Sequence, residues 1–241
     1  MKPVFDTLHT MLRQVEETQA GPIHAAGQLM ADCLARNGLI HIFGTGHSHI
    51  LAEEIFFRAG GLAAVNPIFD SGLMLHESAL TSTDLERLEG YAAIVLSRYS
   101  FSTHDVMIIV SNSGRNAVPI EAAMEARRRG LPVIAVTALG YSRTSSSRHS
   151  SGKRLFELAD VVLDNCGLPG DGAVQVEGLP ERICPTSTII GATLLHAAIY
   201  EAVSILLAQG IQPTVIRSAN LDSGQDSQEI LRSFRDRVRH I

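Results

Sequence analysis

The chain has 241 residues, enough for one α/β unit with extensions, and is 45% hydrophobic and 19% charged. Such usage argues against a largely disordered chain, and a unit of this size buries a core without disulfides or a structural metal. Lys and Arg number 20 against 25 Asp and Glu, leaving −5; a nucleic-acid surface usually shows as a basic excess, so none is expected.

No run approaches ~18 consecutive apolar residues, so no membrane span is expected. Cys33, Cys166 and Cys184 lie far apart and form no CxxC pair, which points to neither a disulfide framework nor a Cys-rich zinc site. The first residues (MKPVFDTLHTMLRQVEETQ) lack the apolar stretch of a secretion signal, so the expected compartment is the cytoplasm.

Val4, Leu8, Met11, Leu12 and Val15 recur at helical spacing, and Gly21-Pro22 punctuates the end. A second helix is predicted from Pro22 to about Asn37, with Ile23, Ala26, Leu29, Met30, Cys33 and Leu34 on one face. Short apolar runs follow at Leu39–Phe43, Asp105–Val110, Leu131–Thr137 and Asp160–Leu163, with a weaker one at Ala63–Phe69. Helical patterns such as Val118–Arg129 separate them. Buried strands joined by helices predict a doubly wound, mostly parallel α/β sheet with helices on both faces.

Tyr141–Arg154 (YSRTSSSRHSSGKR) is Ser-rich and basic, and reads either as a solvated linker or as a mobile substrate lid. Gly167–Gly178 predicts a hairpin or excursion, and Pro185 to about Gln209 a long apolar helix. The polar tail, with Arg217-Ser218-Ala219-Asn220 and Gly224-Gln225-Asp226, is expected to end in a short basic helix, Ile230–His240. The whole, 1–241, reads as one domain: a core at about 38–209, an N-terminal helical extension 1–37 and a C-terminal tail 210–241.

Ligands of open parallel sheets bind at the carboxyl ends of the strands. Two such loops here suit an anion. Gly44-Thr45-Gly46-His47-Ser48-His49 follows the first strand, with Ser48 an acceptable helix N-cap; it is neither a dinucleotide fingerprint nor a P-loop. Ser111-Asn112-Ser113-Gly114-Arg115-Asn116 follows the Val106–Val110 run and leads into a helix, whose N-terminus and small donors can share a phosphate's charge without lysine.

This pair of loops, GTGHS and SNSGRN, resembles the SIS (sugar isomerase) domain family over about residues 22–209. That family includes phosphoheptose isomerase, the isomerase half of glucosamine-6-phosphate synthase, N-acetylmuramic acid 6-phosphate etherase and sugar-phosphate-sensing transcription regulators. GHSHILAEEIFFRAGGL (46–62), SRHSSGKRL (147–155) and PTSTIIGA (185–192) look closer still to a SIS subgroup. Some relatives in it are linked to amino-sugar phosphates, including dehydration of N-acetylglucosamine 6-phosphate. The resemblance implies a flavodoxin-like SIS fold and a phosphorylated sugar as ligand. Ser111, Asn112 and Ser113 would hold the phosphate, with Asn116 where the family pattern has Thr. Ser48, with Gly46 and His47 beside it, would face the sugar phosphate. Thr186 and Thr188, opening the long helix, either reach the same pocket or only cap that helix.

Aldose–ketose isomerisation and dehydration both begin by removing a C2 proton, which needs a base near neutral pK. Glu54, Glu77 and His196 are the candidates. Glu53 and Glu54 diverge by 100° on one helix, so at most one faces a pocket. Phosphoheptose isomerases carry a histidine on their last helix in a place broadly similar to His196, whereas a lone His in an apolar helix is more often a core residue. His47 and His49 form His-x-His, a metal-binding spacing only when a third ligand such as His76 comes close. Sequence supplies no convincing third ligand, and no metal or cofactor is expected. The resemblance also implies a homodimer or homotetramer, with the tail crossing to a neighbour. A non-catalytic sugar-phosphate sensor is the rival reading, without nucleic-acid or membrane partners.

Overall fold

In the computed structural model, which describes residues 1–218 and 232–241, β-branched and aliphatic runs form β1 (Ile40–Gly44), β2 (Val65–Ile68), β3 (Val106–Val110), β4 (Val133–Thr137) and β5 (Val161–Asp164). They pair in the order β2-β1-β3-β4-β5, every neighbour parallel. This is the flavodoxin-like order, and the weak strand expected at Ala63–Phe69 is its edge. Pro67 sits there because an edge strand can dispense with one ladder N–H.

The helices are α1 (Lys2–Ala35), α2 (Ile50–Ile55), α3 (Ala79–Glu86), α4 (Tyr91–Leu96), α5 (Ala117–Arg128), α6 (Leu139–Thr144) and α7 (Ser187–Ala208). Alternation along the strands sorts them into two layers. Ile40, Ile42, Val106, Ile108 and Val110 face a core shared with α1, α2 and α7. Phe43, Met107, Ile109, Val133 and Ala135 face Val95, Leu96, Val118 and Ala122 of α4 and α5.

The two predicted N-terminal helices are one. Pro22 lies inside α1, where it removes one intrahelical bond but does not end the helix. Tertiary contacts hold both sides of it: Gln19 is buried and its Oε1 accepts from Asp164 N at 2.9 Å, while Ala26, Met30 and Ala31 are buried in the core. Gly27 lets α1 touch α7, since a Cβ there would lie 2.5 Å from Glu201 Cβ and 3.1 Å from Ala202 N.

α7 has a mean hydropathy of 1.7 and, among the described residues, is the one helix long and apolar enough to cross a membrane. Ile190, Leu194, Leu195, Ala198, Ala202 and Leu206 are instead buried in the core, as expected of a helix apolar on most of its faces. Ile189, Tyr200 and Leu207 remain exposed.

The hairpin expected at Gly167–Gly178 closes later than its turn signals suggest. Gly172–Val174 (β6) pairs antiparallel with Ile183–Pro185 (β7), so Pro185 belongs to a strand and α7 starts two residues on. The tail runs back along its own chain, with Ala63 N donating to Thr214 O at 2.9 Å and Gly60 N to Ile216 O at 2.8 Å. Of the expected helix Ile230–His240, Ile230 lies outside the described residues, as do Ala219, Asn220 and Gly224-Gln225-Asp226. Residues 232–241 are mainly turns. Val238 is buried in a small cluster with Leu39 and Ala64, and Arg239 N donates to Asn66 Oδ1 at 3.2 Å, so this end of the tail packs on its own subunit.

Candidate functional site

β1 pairs with β2 on one side and β3 on the other, which makes the ends of β1 and β3 the switch point of the sheet. Gly44 pairs in register with Val110, so the two loops singled out above leave the sheet side by side.

The first loop turns back on its own strand. A Cβ on Gly44 would lie 2.5 Å from Ser48 O, which only glycine permits, and Gly46 has φ +54°. Gly46–His49 form a 3-10 turn, so Ser48 lies inside that turn and does not cap α2 as expected. Thr45 Oγ1 donates to Glu86 Oε1 at 2.7 Å and anchors the loop to the end of α3. His49 turns inward onto the Gly46 carbonyl, whereas His47 is exposed at the rim.

In the second loop Ser111 is buried and its Oγ accepts from Gly114 N at 3.2 Å. Asn112 Oδ1 accepts from Asn165 Nδ2 at 3.0 Å. Asn116 occupies the N-cap position of α5, yet its side chain does not bond the helix; its Oδ1 accepts from Arg148 at 3.0 Å.

That bond settles what the Ser-rich segment does. Arg148 N donates to Arg115 O at 2.8 Å, Arg115 donates to Ser146 O and Oγ, both at 2.9 Å, and Leu155 N donates to Gly114 O at 2.8 Å. Residues 146–155 are a strap tied across the second loop. It brings two guanidinium groups to the N-terminal end of α5, and burial together with nearby Arg115 lowers the pKa of Arg148. No sequence pattern pointed to Arg148; its signal was only that a Ser-rich stretch was also basic.

His47, Ser48, Asn112, Asn165, Ser187 and Thr188 line a small cleft with Leu51, Val110 and Val136. Of the residues expected at a phosphate, the cleft lining includes His47, Ser48, Asn112 and Thr188. Gly46, Ser111, Ser113, Asn116 and Thr186 adjoin them in the same loops or helix start. Thr186 is buried and its Oγ1 has no hydrogen-bond partner among the described residues. The N-terminus of α7 is already occupied by a carboxylate: Asp171 Oδ1 accepts from Thr186 N at 3.2 Å and Ser187 N at 3.0 Å. A second anion is therefore better served by α5. Asn165 was missed, although it follows β5 at the same carboxyl edge and the strand rule could have found it.

Glu54 and His196, far apart in sequence, meet: His196 Nε2 lies 3.0 Å from Glu54 Oε1, and Arg58 donates to the same oxygen. Glu53 points away toward His49, as expected from helical phase, and Glu201 of α7 bonds His24 on α1. The Glu54–His196 pair is partly exposed and lies outside the cleft lining; along α7, Thr188 and His196 are about 12 Å apart. Glu77 stands apart from that pair, exposed just before Ser78, the cap of α3. Its neighbour Leu75 approaches Gly46, which puts this segment near the rim of the first loop.

An open parallel sheet with two small-residue loops at its switch point defines a class of protein, and a family model agrees. The SIS domain model matches residues 5–138, and the chain belongs to that family. More narrowly, it is 41% identical to UPF0309 protein Teth39_1980 of Thermoanaerobacter pseudethanolicus, over 98% of each chain. Among solved structures, phosphoheptose isomerase GmhA from Neisseria gonorrhoeae aligns with a TM-score of 0.50 at 22% identity, over 83% of this chain and 94% of that one. The Vibrio vulnificus NanR protein, complexed with ManNAc-6P, aligns with a TM-score of 0.51 at 19% identity, over 86% of this chain and 63% of that one. At these identities the two structures share its fold.

Proposed function

We propose that the protein is a sugar-phosphate enzyme that removes the C2 proton of a sugar or amino-sugar phosphate, with aldose–ketose isomerisation as its reaction. The observation that carries this reading is the convergence of Ser48, Asn112 and Thr188 on one cleft at the carboxyl end of the sheet, where Val110 ends β3. The phosphate is held by Ser48, Ser111, Asn112, Ser113 and Asn116, with Arg115 and Arg148 supplying positive charge behind them. Gly46 and His47 form the near rim, and Thr186 and Thr188 the α7 side.

The sugar's open chain carries C1 and C2 away from the phosphate, so the base must stand off from the phosphate loops. Glu54 and His196 do. Hydrogen-bonded together, they offer an acid–base pair in which one takes the C2 proton and its partner stabilises the charge left behind. Glu77 is the alternative base, at the first loop's rim. An enediol intermediate concentrates negative charge on O1 and O2, which His196 in its protonated form would offset. Elimination of a C3 hydroxyl after the same deprotonation would make the enzyme a dehydratase of N-acetylglucosamine 6-phosphate or a similar substrate.

Exposed Ile189, Tyr200 and Leu207 on α7 share their helix with His196, and exposed Ile50 and Phe57 flank Glu54. A second copy packed there, in a homodimer or homotetramer, would cover these apolar groups and enclose the pair. The free cysteines and the −5 charge fit a cytoplasmic protein without nucleic-acid partners.

The distance of Glu54 and His196 from the cleft favours a second reading, a sensor that binds sugar phosphate without turnover; NanR binds ManNAc-6P on a similar fold. Calorimetric titration tests the part common to both. Hexose and amino-sugar 6-phosphates are expected to bind saturably, the unphosphorylated sugars not at all, and Asn112→Asp to abolish binding by setting a carboxylate against the phosphate. Equal affinity with and without the phosphate, or undiminished binding by Asn112→Asp, would sink both readings.

A further inference from the structure

The SRHSSGKR strap contains a histidine that the sugar-phosphate site does not use. His149 is nine-tenths buried, and its Nε2 lies 3.5 Å from Glu121 Oε1 on α5 and 3.8 Å from Glu89 Oε2 in the α3–α4 connection. Ligating atoms of these three side chains all lie within 4.8 Å of one another. Among the described residues no other group of His, Cys, Asp and Glu side chains does this, and His47, His49 and His76 do not.

We propose that Glu89, Glu121 and His149 form a binding site for a divalent transition-metal ion of the zinc class. Four observations converge on it. Glu121 Oε2 is buried without a hydrogen-bond partner among the described residues, although Oε1 of the same carboxylate accepts from Gly90 N at 2.6 Å. A buried carboxylate oxygen left unpaired is costly, and a cation in front of it removes the cost.

The separations are too long for hydrogen bonds from an imidazolium, which would bring N and O to about 2.7–2.9 Å. They approach the edge of a tetrahedron whose centre is bonded at about 2.0–2.1 Å, which is about 3.4 Å. One imidazole and two carboxylates also make a donor set that zinc accepts, leaving a fourth position for water.

The strap is built to aim His149. Ser151 N donates to its Nδ1 at 3.1 Å and Ser151 Oγ lies 2.7 Å from the same nitrogen, which fixes the ring with Nε2 facing the two carboxylates. Ser147 Oγ accepts from His149 N at 3.0 Å, fixing the backbone on the other side. Ser150 N and Oγ donate to Glu89 at 2.6 and 2.7 Å and hold its carboxylate beside the His149 ring. Each serine of SRHSS thus has a task in a metal site.

The ion would tie the strap to α5 and to the α3–α4 connection. Because Arg148 adjoins His149 and bonds Asn116, it would also keep that guanidinium beside the second loop. The site does not depend on which reaction, if any, the cleft performs.

The test is metal content, read without any sugar. Full-length protein is stripped with chelator, dialysed, loaded with zinc and analysed by mass spectrometry, with circular dichroism to check the fold. Stoichiometric zinc is expected in the unaltered protein and in His76→Ala. It should be lost in His149→Ala and in Glu121→Gln, while Co(II) loaded in place of zinc shows visible absorption that disappears in the same variants. Should His149→Ala fail to fold, Glu121→Gln and Glu89→Gln carry the test, since both keep side-chain shape. No zinc retained by the unaltered protein, or zinc retained undiminished by the folded variants, would overturn the proposal.

Discussion

Replacing Glu54 by glutamine is expected to slow C2 proton removal by about 10²–10⁴-fold, the usual worth of a positioned general acid or base, with little change in sugar-phosphate affinity. The amide keeps the carboxylate's shape and can still bond His196, but it neither takes a proton nor favours an imidazolium. His196→Asn should cost a similar factor. The double variant should be little worse than either single one, because groups that act as a unit are not additive. If the pair were only a surface ion pair, it would be worth about 0–1 kcal/mol of stability and nothing in rate. Steady-state kinetics with kcat and KM reported separately decide between these: unchanged kcat in Glu54→Gln returns the role of base to Glu77 or leaves the protein a sensor.

The second large effect lies at the opposite end of the sheet. Asp105→Asn is expected to cost about 1.5–3 kcal/mol of folding stability, the usual worth of buried hydrogen bonds to a charged group. His41 and Asp105 are both buried, with His41 Nε2 2.9 Å from Asp105 Oδ2. The same carboxylate accepts from Leu39 N at 2.8 Å and Ser102 N at 2.7 Å, so it clamps the start of β1 to the start of β3. Burial alone would raise the Asp105 pKa, but the bonds from His41, Ser102 and Leu39 outweigh it and hold the carboxyl below its usual value.

The sign of the pH dependence follows. A carboxylate with a depressed folded pKa contributes fully above its unfolded value of about 3.9, and the contribution is lost as pH falls through the folded value. Urea titrations should therefore show the full gap between native protein and Asp105→Asn at pH 7, narrowing below about pH 4. A gap below about 1 kcal/mol at pH 7 would put Asp105 among ordinary surface contacts.

The sheet was legible because buried parallel strands write themselves as short aliphatic runs, and the loops because Gly, Ser and Asn cluster at their ends. Helical phase was enough to separate Glu53 from Glu54. It could not say that Glu54 and His196 meet, since that depends on how α2 packs on α7. Pro22 misled because its local cost is real, and only burial on either side shows that the helix absorbs it. Ser48 misled in the other direction, since a good cap residue sits inside a 3-10 turn. Arg148 and the Glu89–Glu121–His149 cluster were invisible for a common reason. They arise where the strap from one segment folds over two others, and no spacing within any one segment records that.

The most direct measurement is proton NMR of the protein in D2O with a panel of hexose and amino-sugar 6-phosphates, following the C2 proton. The account predicts protein-dependent loss of that signal for at least one sugar phosphate, with new resonances naming a ketose or a dehydrated product. A C2 signal that persists across the panel, at concentrations where calorimetry shows the sugars bound, would contradict proton removal as the function of this site.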